Sequence, residues 1–286
     1  MGLGSVKVKG KKFNVEEMLG LIKLNINNME MEEINEIKGL NKVKNVTSLD
    51  LSNNKIKEFN GLEVLPNLQQ LHFSNNQFKA IEGLENLTKL DHIFLSGNQI
   101  TELKGFESLS NLIWLEINNN KISEIKGLDS LTNLIKLTLI GNQVREIKGL
   151  DNLSNLVALD LKRNQITEIK NLDGLKNLER LFLAYNQISE IKGLDALTKL
   201  TVLYLNNNNI KEIKNLDSLI NLETLYLDTN QLTSLTNLES LERFEKLSVL
   251  FLGMNPIEGE EKQFLKDNIE REGVIELLQS YREWKN

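Results

Sequence analysis

The chain contains two histidines, His72 and His92, whose imidazoles could bind a metal ion or transfer protons in acid–base catalysis. Asp50, which precedes His72 by 22 residues, could add a carboxylate to such a site. The chain has no cysteine, which excludes a thiolate nucleophile and a disulfide framework, and no serine nucleophile stands beside the histidines. We therefore interpret both histidines as binding residues, and we expect no enzyme activity, no metal site and no cofactor.

These residues belong to a sequence that repeats every 22 residues. The stretch 133–154, NLIKLTLIGNQVREIKGLDNLS, aligns with NLIWLEINNNKISEIKGLDSLT at 111–132 and with NLVALDLKRNQITEIKNLDGLK at 155–176. A fixed period of this length predicts a solenoid in which each repeat adds one coil. The alternating residues LTL at 137–139 predict one short strand per coil, and strands related by this shift run parallel.

Two polar columns are predicted to form the turns of each coil. One asparagine follows the strand at the same phase, at Asn54, Asn76, Asn98, Asn120, Asn142, Asn164, Asn186, Asn208, Asn230 and Asn255. Its amide can donate to and accept from backbone groups that have no strand partner. The second column contains only glycine and asparagine, at Gly61, Gly83, Gly105, Gly127, Gly149, Asn171, Gly193, Asn215 and Asn237. Because these residue types tolerate positive φ, we expect a left-handed turn there, followed by a short 3₁₀ or irregular segment.

The pattern LxxLxLxxNxIxxIxGLxxLxx, as in residues 112–131, resembles the 22-residue class of leucine-rich repeat. This class occurs in the phosphatase-1 regulatory leucine-rich repeat subunit and in bacterial internalins. Repeat and resemblance together predict an α/β fold: a right-handed leucine-rich repeat solenoid, curved as a horseshoe. Its concave face carries a parallel β-sheet, its convex side is 3₁₀ or irregular, and its C-terminal cap is helical.

The two ends of the chain depart from the repeat. Residues 1–45 are predicted to form an N-terminal cap with one degenerate repeat, in which Met29 replaces the asparagine. Leucine-rich repeats follow at 46–256, with a helical turn expected at 240–246. Residues 257–286 have apolar residues at helical spacing around Gly273, which predicts two short capping helices or, alternatively, a terminal interaction helix.

Aromatic residues concentrate on the outward strand positions. The central column reads Asn25, Asp50, His72, Phe94, Glu116, Thr138, Asp160, Phe182, Tyr204, Tyr226 and Phe251, so five of eleven positions are aromatic although aromatics make up 6% of the chain. Exposed aromatics among charges are typical of protein–protein interfaces. The predicted partner-binding residues are His72, His92, Phe94, Trp114, Glu116, Asp160, Arg180, Phe182, Tyr185, Tyr204, Tyr226 and Phe251.

The favoured function is a non-enzymatic scaffold that docks a folded protein on this concave aromatic face. The resemblance to the phosphatase-1 regulatory subunit, which holds its catalytic partner through acidic and aromatic residues of this face, implies regulation of a phosphatase-like enzyme as one specific form. A simpler interpretation is that stacked rings only stiffen the sheet, which accounts for Tyr204 beside Tyr226 but not for an isolated Trp114. Two further hypotheses are a structural or engineered array without a dedicated partner, and an adhesin-like repeat domain.

Charge and hydropathy limit the partners. The net charge of −6 disfavours non-specific binding to nucleic acid or to an anionic membrane, so we expect neither partner. The first residues lack the apolar core of a signal peptide, and no apolar run is long enough to span a bilayer. We expect a cytoplasmic protein that is monomeric or self-associates weakly.

Overall fold

The structure is a computed structural model that describes residues 3–268 and 274–285. It contains two compact units, Met1–Gln143 and Val144–Asn286. Both are built from the predicted repeat: one strand, an inward turn at the asparagine, a return segment, and a left-handed turn before the next strand.

In the first unit, two antiparallel pairs precede a run of parallel strands. The strands are β1 Ser5–Val8, β2 Lys11–Asn14, β3 Glu16–Met18, β4 Leu21–Asn25, β5 Ser48–Asp50, β6 Gln70–His72, β7 His92–Phe94, β8 Trp114–Glu116 and β9 Lys136–Thr138. β1 pairs with β2 and β3 pairs with β4, both antiparallel. From β4 to β9 each strand is parallel to the next, and the central residue of each strand faces that of its neighbour.

The second unit continues the same repeat and ends in helices. Its strands are β10 Ala158–Asp160, β11 Arg180–Phe182, β12 Val202–Tyr204, β13 Thr224–Tyr226 and β14 Val249–Phe251, each parallel to the next. Two α-helices follow, α1 Gly259–Asn268 and α2 Val274–Lys285. The parallel sheet and the C-terminal helices confirm the predicted fold class.

The core of each unit is a stack of leucines and isoleucines. The central strand residues, such as Leu71 and Leu115 in the first unit and Leu203 in the second, are 0% exposed. Burying a side chain of this size stabilises a fold by roughly 1.5–3 kcal/mol relative to exposure, and every coil repeats that gain. Since the central residue of each strand points inward, the residues on either side of it point outward.

The asparagine column bonds to the backbone as predicted. Asn76 is representative: its Nδ2 donates to Leu51 O at 3.0 Å and to Phe73 O at 3.1 Å, and its Oδ1 accepts from Ile56 N at 3.0 Å. The same three kinds of bond recur at Asn208 in the second unit. These asparagines therefore join consecutive coils where no strand pairing is available.

The second column is left-handed throughout, as predicted. Its glycines have φ between 65° at Gly193 and 104° at Gly61, and its asparagines have φ between 56° at Asn215 and 70° at Asn237. At Asn171 the side chain adds a bond, because its Nδ2 donates to Ile147 O at 2.7 Å. An asparagine in this column thus satisfies a carbonyl of the preceding coil.

Two details at the ends differ from the sequence prediction or extend it. The helical turn expected at 240–246 is a 3₁₀ helix at Leu238–Arg243, so it begins and ends earlier. The hairpin of β1 and β2 was not predicted. Gly273, around which the capping helices were predicted, lies outside the described residues. None of the described helices has the length and apolar content that crossing a membrane requires.

Candidate functional site

The outward strand residues form a surface that we call the sheet face, described separately for each unit. In most strands the central residue is buried and its two neighbours are partly exposed, as at Gln70 and His72 around Leu71. Parallel pairing in register then places equivalent outward residues of consecutive strands side by side. The sheet face is therefore a set of side-chain columns whose neighbours are fixed by the repeat.

The first unit carries a cluster of four rings on its sheet face. His72 stacks on Phe94 with ring centroids 4.5 Å apart, and Trp114 meets Phe94 edge-on at 5.1 Å. His92 completes the cluster at 5.8 Å from Trp114 and 6.2 Å from Phe94. We call His72, His92, Phe94 and Trp114 the first ring cluster. All four were predicted as partner-binding residues. The sequence led us to expect an isolated Trp114, but in the structure its ring contacts both His92 and Phe94.

Two charged side chains border the first ring cluster. The Lys136 Nζ lies over the Trp114 ring, 3.8 Å from its centroid, where the negative face of the indole attracts a cation. The Glu116 Oε1 accepts a hydrogen bond of 2.8 Å from Ser96 Oγ, which in turn accepts from Asn118 N at 3.1 Å. Lys136 thus contacts the first ring cluster directly, and the hydrogen bond to Ser96 fixes Glu116 beside it. Side chains that are already held in place lose less entropy on binding.

The aspartates near the two histidines have hydrogen-bonding partners of their own. The Asp50 Oδ1 accepts from Ser52 N at 2.9 Å, and His92 Nδ1 lies 2.5 Å from Asp91 Oδ1. Burial lowers the pKa of His72 below its ordinary value, and the Asp50 charge only partly opposes this. Within residues 3–268 and 274–285, no three His, Cys, Asp or Glu side chains are grouped as a metal site requires.

The second unit carries a longer row of rings, which we call the second ring cluster: Phe182, Tyr204, Tyr226 and Phe251. Phe182 meets Tyr204 edge-on at 5.0 Å, Tyr204 lies 4.3 Å from Tyr226, and Tyr226 stacks on Phe251 at 4.5 Å. Phe251, at the end of the row, is 47% exposed. Burial and the neighbouring Tyr204 raise the pKa of Tyr226 above its ordinary value.

Asp160 and Arg180 begin the sheet face of the second unit. Asp160 is buried, and its Oδ2 lies 3.1 Å from Lys162 Nζ. The same ammonium lies 5.0 Å from the centroid of Phe182. Arg180 is exposed at the start of β11, beside Ala158 of β10. Asp160 is therefore a paired carboxylate, whereas Arg180 presents its charge to solvent.

Tyr185 lies just past the strand and outside the second ring cluster. It is 46% exposed, and the Arg163 guanidinium lies over its ring at 4.8 Å. All twelve predicted residues thus lie on the sheet face or next to it. The structure brings four of them into the first ring cluster and four into the second, while Glu116, Asp160, Arg180 and Tyr185 border these clusters.

Several buried polar atoms on the sheet face lack a partner among the described residues. They are Trp114 Nε1 and Thr138 Oγ1 in the first unit, and Asn206 Oδ1 and Asp228 Oδ1 in the second. Burial accordingly raises the pKa of the Asp228 carboxyl, whose Oδ2 accepts from Thr229 Oγ1 at 3.4 Å. An unpaired buried polar atom costs about 1–3 kcal/mol, so these positions are not optimised for stability alone.

Sequence reasoning missed part of this surface. It did not assign Lys136 or Lys162 to the site, although each forms a cation–π contact with a predicted ring. It also missed Thr229 and Met254, which contact each other beside the second ring cluster, with 3.8 Å between Oγ1 and Sδ. The sequence could have indicated them, because both residues stand directly before an asparagine of the first column, a position that the repeat places at the same point of every coil.

Comparison with known proteins identifies the family. A leucine-rich repeat family model matches residues 157–282, and a model of two leucine-rich repeat copies matches residues 66–108. Among curated proteins, none matches the chain.

Solved structures of similar proteins include two internalins of Listeria monocytogenes. Internalin InlF is 26% identical with a TM-score of 0.56, over 87% of this chain and 86% of that chain. Internalin C2 is 32% identical with a TM-score of 0.58, over 64% of this chain and 80% of that chain. A third is the ectodomain of the plant receptor kinase GASSHO1/SCHENGEN3 from Arabidopsis thaliana, solved in complex with Casparian strip integrity factor 2. It is 26% identical with a TM-score of 0.54, over 76% of this chain but only 30% of that chain.

The predicted resemblance to the internalin repeat domains is therefore confirmed, whereas the resemblance to the phosphatase-1 regulatory subunit stays a prediction. From the repeat geometry and these matches, the chain belongs to the leucine-rich repeat proteins.

Proposed function

We propose that this protein is a non-enzymatic scaffold that docks a folded protein partner on its aromatic sheet face. The observation that carries the proposal is the second ring cluster, in which four rings follow one another at 5.0, 4.3 and 4.5 Å on a solvent-facing surface. Aromatic side chains held in place by their neighbours supply most of the binding energy in protein interfaces.

The repeat supports this function by holding the rings in place before binding. Each ring extends from a three-residue strand whose central leucine is buried, so the backbone beneath it is fixed. A partner therefore meets an ordered surface, and little conformational entropy is lost on binding. The GASSHO1/SCHENGEN3 ectodomain, solved with its bound factor, shows that a repeat protein of similar architecture binds another molecule.

The more specific parts of the sequence prediction belong to this proposal. Regulation of a phosphatase-like enzyme is one form of the docking function, and its support is the mixture of acidic and aromatic residues on the sheet face. We retain a cytoplasmic location, and a monomer or weak self-association. We also retain a cap at 1–45, repeats at 46–256 and a cap at 257–286; the parallel pairing of β4 with β5 is consistent with one degenerate repeat in the first cap.

The experiment compares what the intact protein and two ring variants capture from a lysate of the source cells. One variant carries Phe94→Ala and Trp114→Ala, and the other carries Phe182→Ala, Tyr204→Ala and Tyr226→Ala. A matched control carries Ile135→Ala and Ile220→Ala, which remove exposed apolar side chains outside both ring clusters. Circular dichroism and thermal melting establish first that all four proteins are folded.

The proposal expects a protein that the intact chain and the control capture equally, and that at least one ring variant loses. The purified partner should then bind the ring variant at least about tenfold more weakly in calorimetry, as loss of a hot-spot side chain implies. Equal capture by all four folded proteins would place the interaction elsewhere and refute the assignment to the sheet face.

A second candidate is an adhesin-like repeat domain, which the similarity to internalin C2 favours. It differs from the first in the location of the partner, which would lie on a cell surface. Binding of the purified protein to intact cells, lost in the same ring variants, would support it over an intracellular scaffold. A structural array without a partner predicts no ring-dependent binding in either assay.

A further inference from the structure

The residue directly before each asparagine of the first column has a left-handed backbone in both units; we call these residues the rim. In the first unit the rim contains only asparagine and glycine: Asn53, Asn75, Gly97, Asn119 and Gly141, with φ between 52° and 72°. In the second unit it is Arg163, Tyr185, Asn207, Thr229 and Met254, with φ between 54° and 57°. The backbone is the same, but four of the five residues in the second unit are of types that disfavour it.

These four residues are held at a cost in stability. The left-handed region brings Cβ close to the following carbonyl oxygen, which only glycine and, to a lesser degree, asparagine and aspartate tolerate. For β-branched Thr229 it is a marked outlier. The first unit shows that this repeat accepts asparagine or glycine at every rim position. When a protein keeps a strained residue where asparagine or glycine would adopt the same backbone with less strain, the position is typically part of a functional surface.

The side chains of the rim in the second unit form two contacting pairs, one on each side of Asn207, and together we call them the strip. Tyr185 is 46% exposed and Met254 is 87% exposed. Arg163 lies over the Tyr185 ring at 4.8 Å, and Thr229 Oγ1 lies 3.8 Å from Met254 Sδ. The strip runs beside the second ring cluster, because each rim residue stands three positions after a residue of the central column, as Tyr185 does after Phe182.

The charges at one end of this strip indicate the chemistry of its partner. Lys162 is paired with Asp160 at 3.1 Å. In the described part of the chain, no carboxylate lies within ion-pairing distance of Arg163 or Arg180, and both are exposed. A protein with a net charge of −6 therefore presents two uncompensated guanidinium groups: Arg163 in the strip, over the Tyr185 ring, and Arg180 at the start of β11, two residues before Phe182. Guanidinium groups bind carboxylates in bidentate fashion, and the neighbouring apolar atoms suit aliphatic side chains.

We propose that Arg163, Tyr185, Thr229 and Met254 form a second contact strip, which recognises an acidic protein segment carrying aliphatic side chains. The proposal rests on the docking function proposed above and extends it beyond the sheet face. One carboxylate of the segment pairs with Arg163 in the strip and another with Arg180 on the adjoining sheet face, and its aliphatic side chains pack on Tyr185 and Met254.

The first test measures thermal stability. Relief of backbone strain raises Tm, whereas ordinary truncation of a surface side chain lowers it or leaves it unchanged. The variants are Arg163→Asn, Tyr185→Asn, Thr229→Asn and Met254→Asn, each of which installs the residue found at rim positions of the first unit. Each should raise Tm by about 2 °C or more. The matched control, Asn207→Gly, exchanges one tolerant residue for another at the same φ and should leave Tm nearly unchanged. A fall in Tm in all four variants would overturn the strain argument.

The second test measures binding with a defined probe. The probe is a library of short peptides that combine aspartate with leucine, and its control is a matched library with asparagine in place of aspartate. The intact protein should select the aspartate peptides. The double variant Arg163→Asn and Tyr185→Asn should bind selected peptides about tenfold more weakly or worse, while Asn207→Gly binds them normally. Added salt should weaken the binding.

Three results would overturn the proposal: no selection by the intact protein, equal selection from both libraries, or unchanged binding by the double variant. The ring variant with Phe182→Ala, Tyr204→Ala and Tyr226→Ala shows whether the strip proposal alone has failed or the docking function has failed as well. If a captured partner is lost by the ring variant but kept by the double rim variant, the docking function stands and the strip is wrong. If both variants keep the partner, both proposals fail.

Discussion

A side chain at Gly105 would overlap the carbonyl oxygen of Ile81 in the preceding coil. A Cβ built on Gly105 meets that backbone oxygen at much less than a van der Waals contact, and the residue has φ of +90°. Gly83 occupies the same column one repeat earlier, with φ of +92°, yet its Cβ would meet nothing closer than Phe59 Cβ at 3.6 Å. Both glycines therefore have a left-handed backbone that disfavours other residues, but only at Gly105 would a side chain also collide with the preceding coil.

This difference predicts unequal costs for the same substitution. Gly83→Ala should lower the free energy of unfolding by about 1–2 kcal/mol, which is the cost of a left-handed L-residue. Gly105→Ala should cost about 1–3 kcal/mol more, because the two coils must also separate to admit the methyl group. Urea denaturation followed by circular dichroism measures both. Equal losses would show that backbone conformation alone selects glycine in this column.

Asn76→Ala should lower the free energy of unfolding by at least about 1–3 kcal/mol, the cost of leaving buried backbone groups unsatisfied. The substitution removes the only acceptor that Ile56 N has among the described residues, while Leu51 O and Phe73 O each lose one of two bonds and keep the one from Asn54 or Asn98. The matched control is Asn67→Ala, where an exposed amide donates to Lys44 O at 3.0 Å and water can replace it. Urea denaturation should separate the two variants, and similar losses would contradict the role of the column.

The columns of the repeat could be predicted from sequence because each position has one local requirement that recurs in every coil. Leu115 must be buried, Asn120 must bond to the backbone of the turn, and Gly127 must adopt a positive φ. The structure confirms all three. The ends could not be predicted in the same way. The β1–β2 hairpin is outside the repeat, and the turn predicted at 240–246 forms earlier because Asn237, at φ of 70°, starts the 3₁₀ helix directly.

The candidate site was predictable in its columns but not in its contacts. Register places Trp114 opposite His92, and the repeat pattern predicts no more than that. In the structure Trp114 leans diagonally to Phe94, at 5.1 Å, and takes Lys136 over its ring. Side-chain rotamers decide between a direct and a diagonal neighbour, and they depend on all the residues around them. The backbone strain of the rim was likewise invisible until φ was known.

Stability should fall in mild acid because of His72. Burial lowers its pKa from the ordinary 6.5 in the folded state, so the unfolded chain binds the proton more readily. The contribution is fully present above pH 6.5 and is lost as the pH falls towards the lowered value. His72→Phe keeps the stack on Phe94 but removes the titration. Its unfolding free energy should therefore depend less on pH than that of the intact protein, as urea denaturation at several pH values would measure. Parallel pH profiles would contradict this assignment.

The hydroxyl of Tyr281 joins the last helix to the repeat. It donates to Glu261 Oε1 at 3.0 Å, and Glu261 Oε2 accepts from Leu235 N at 3.0 Å, so one carboxylate connects α2, α1 and the last coils. Tyr281 is 1% exposed, and water cannot replace the lost partner. Tyr281→Phe should lower the free energy of unfolding by about 1.5–3 kcal/mol, as expected for a hydrogen bond to a charged group.

The matched control for this bond is Tyr185→Phe, which removes a hydroxyl from an exposed ring and should change stability little. A second measurement uses pH. Burial and Glu261 raise the pKa of Tyr281 above its ordinary 10.0, so the folded state keeps the proton while the unfolded chain loses it. The intact protein should therefore lose more stability than Tyr281→Phe as the pH rises past 10.0. If the two tyrosine variants unfold alike at neutral pH, the bond to Glu261 adds no net stability.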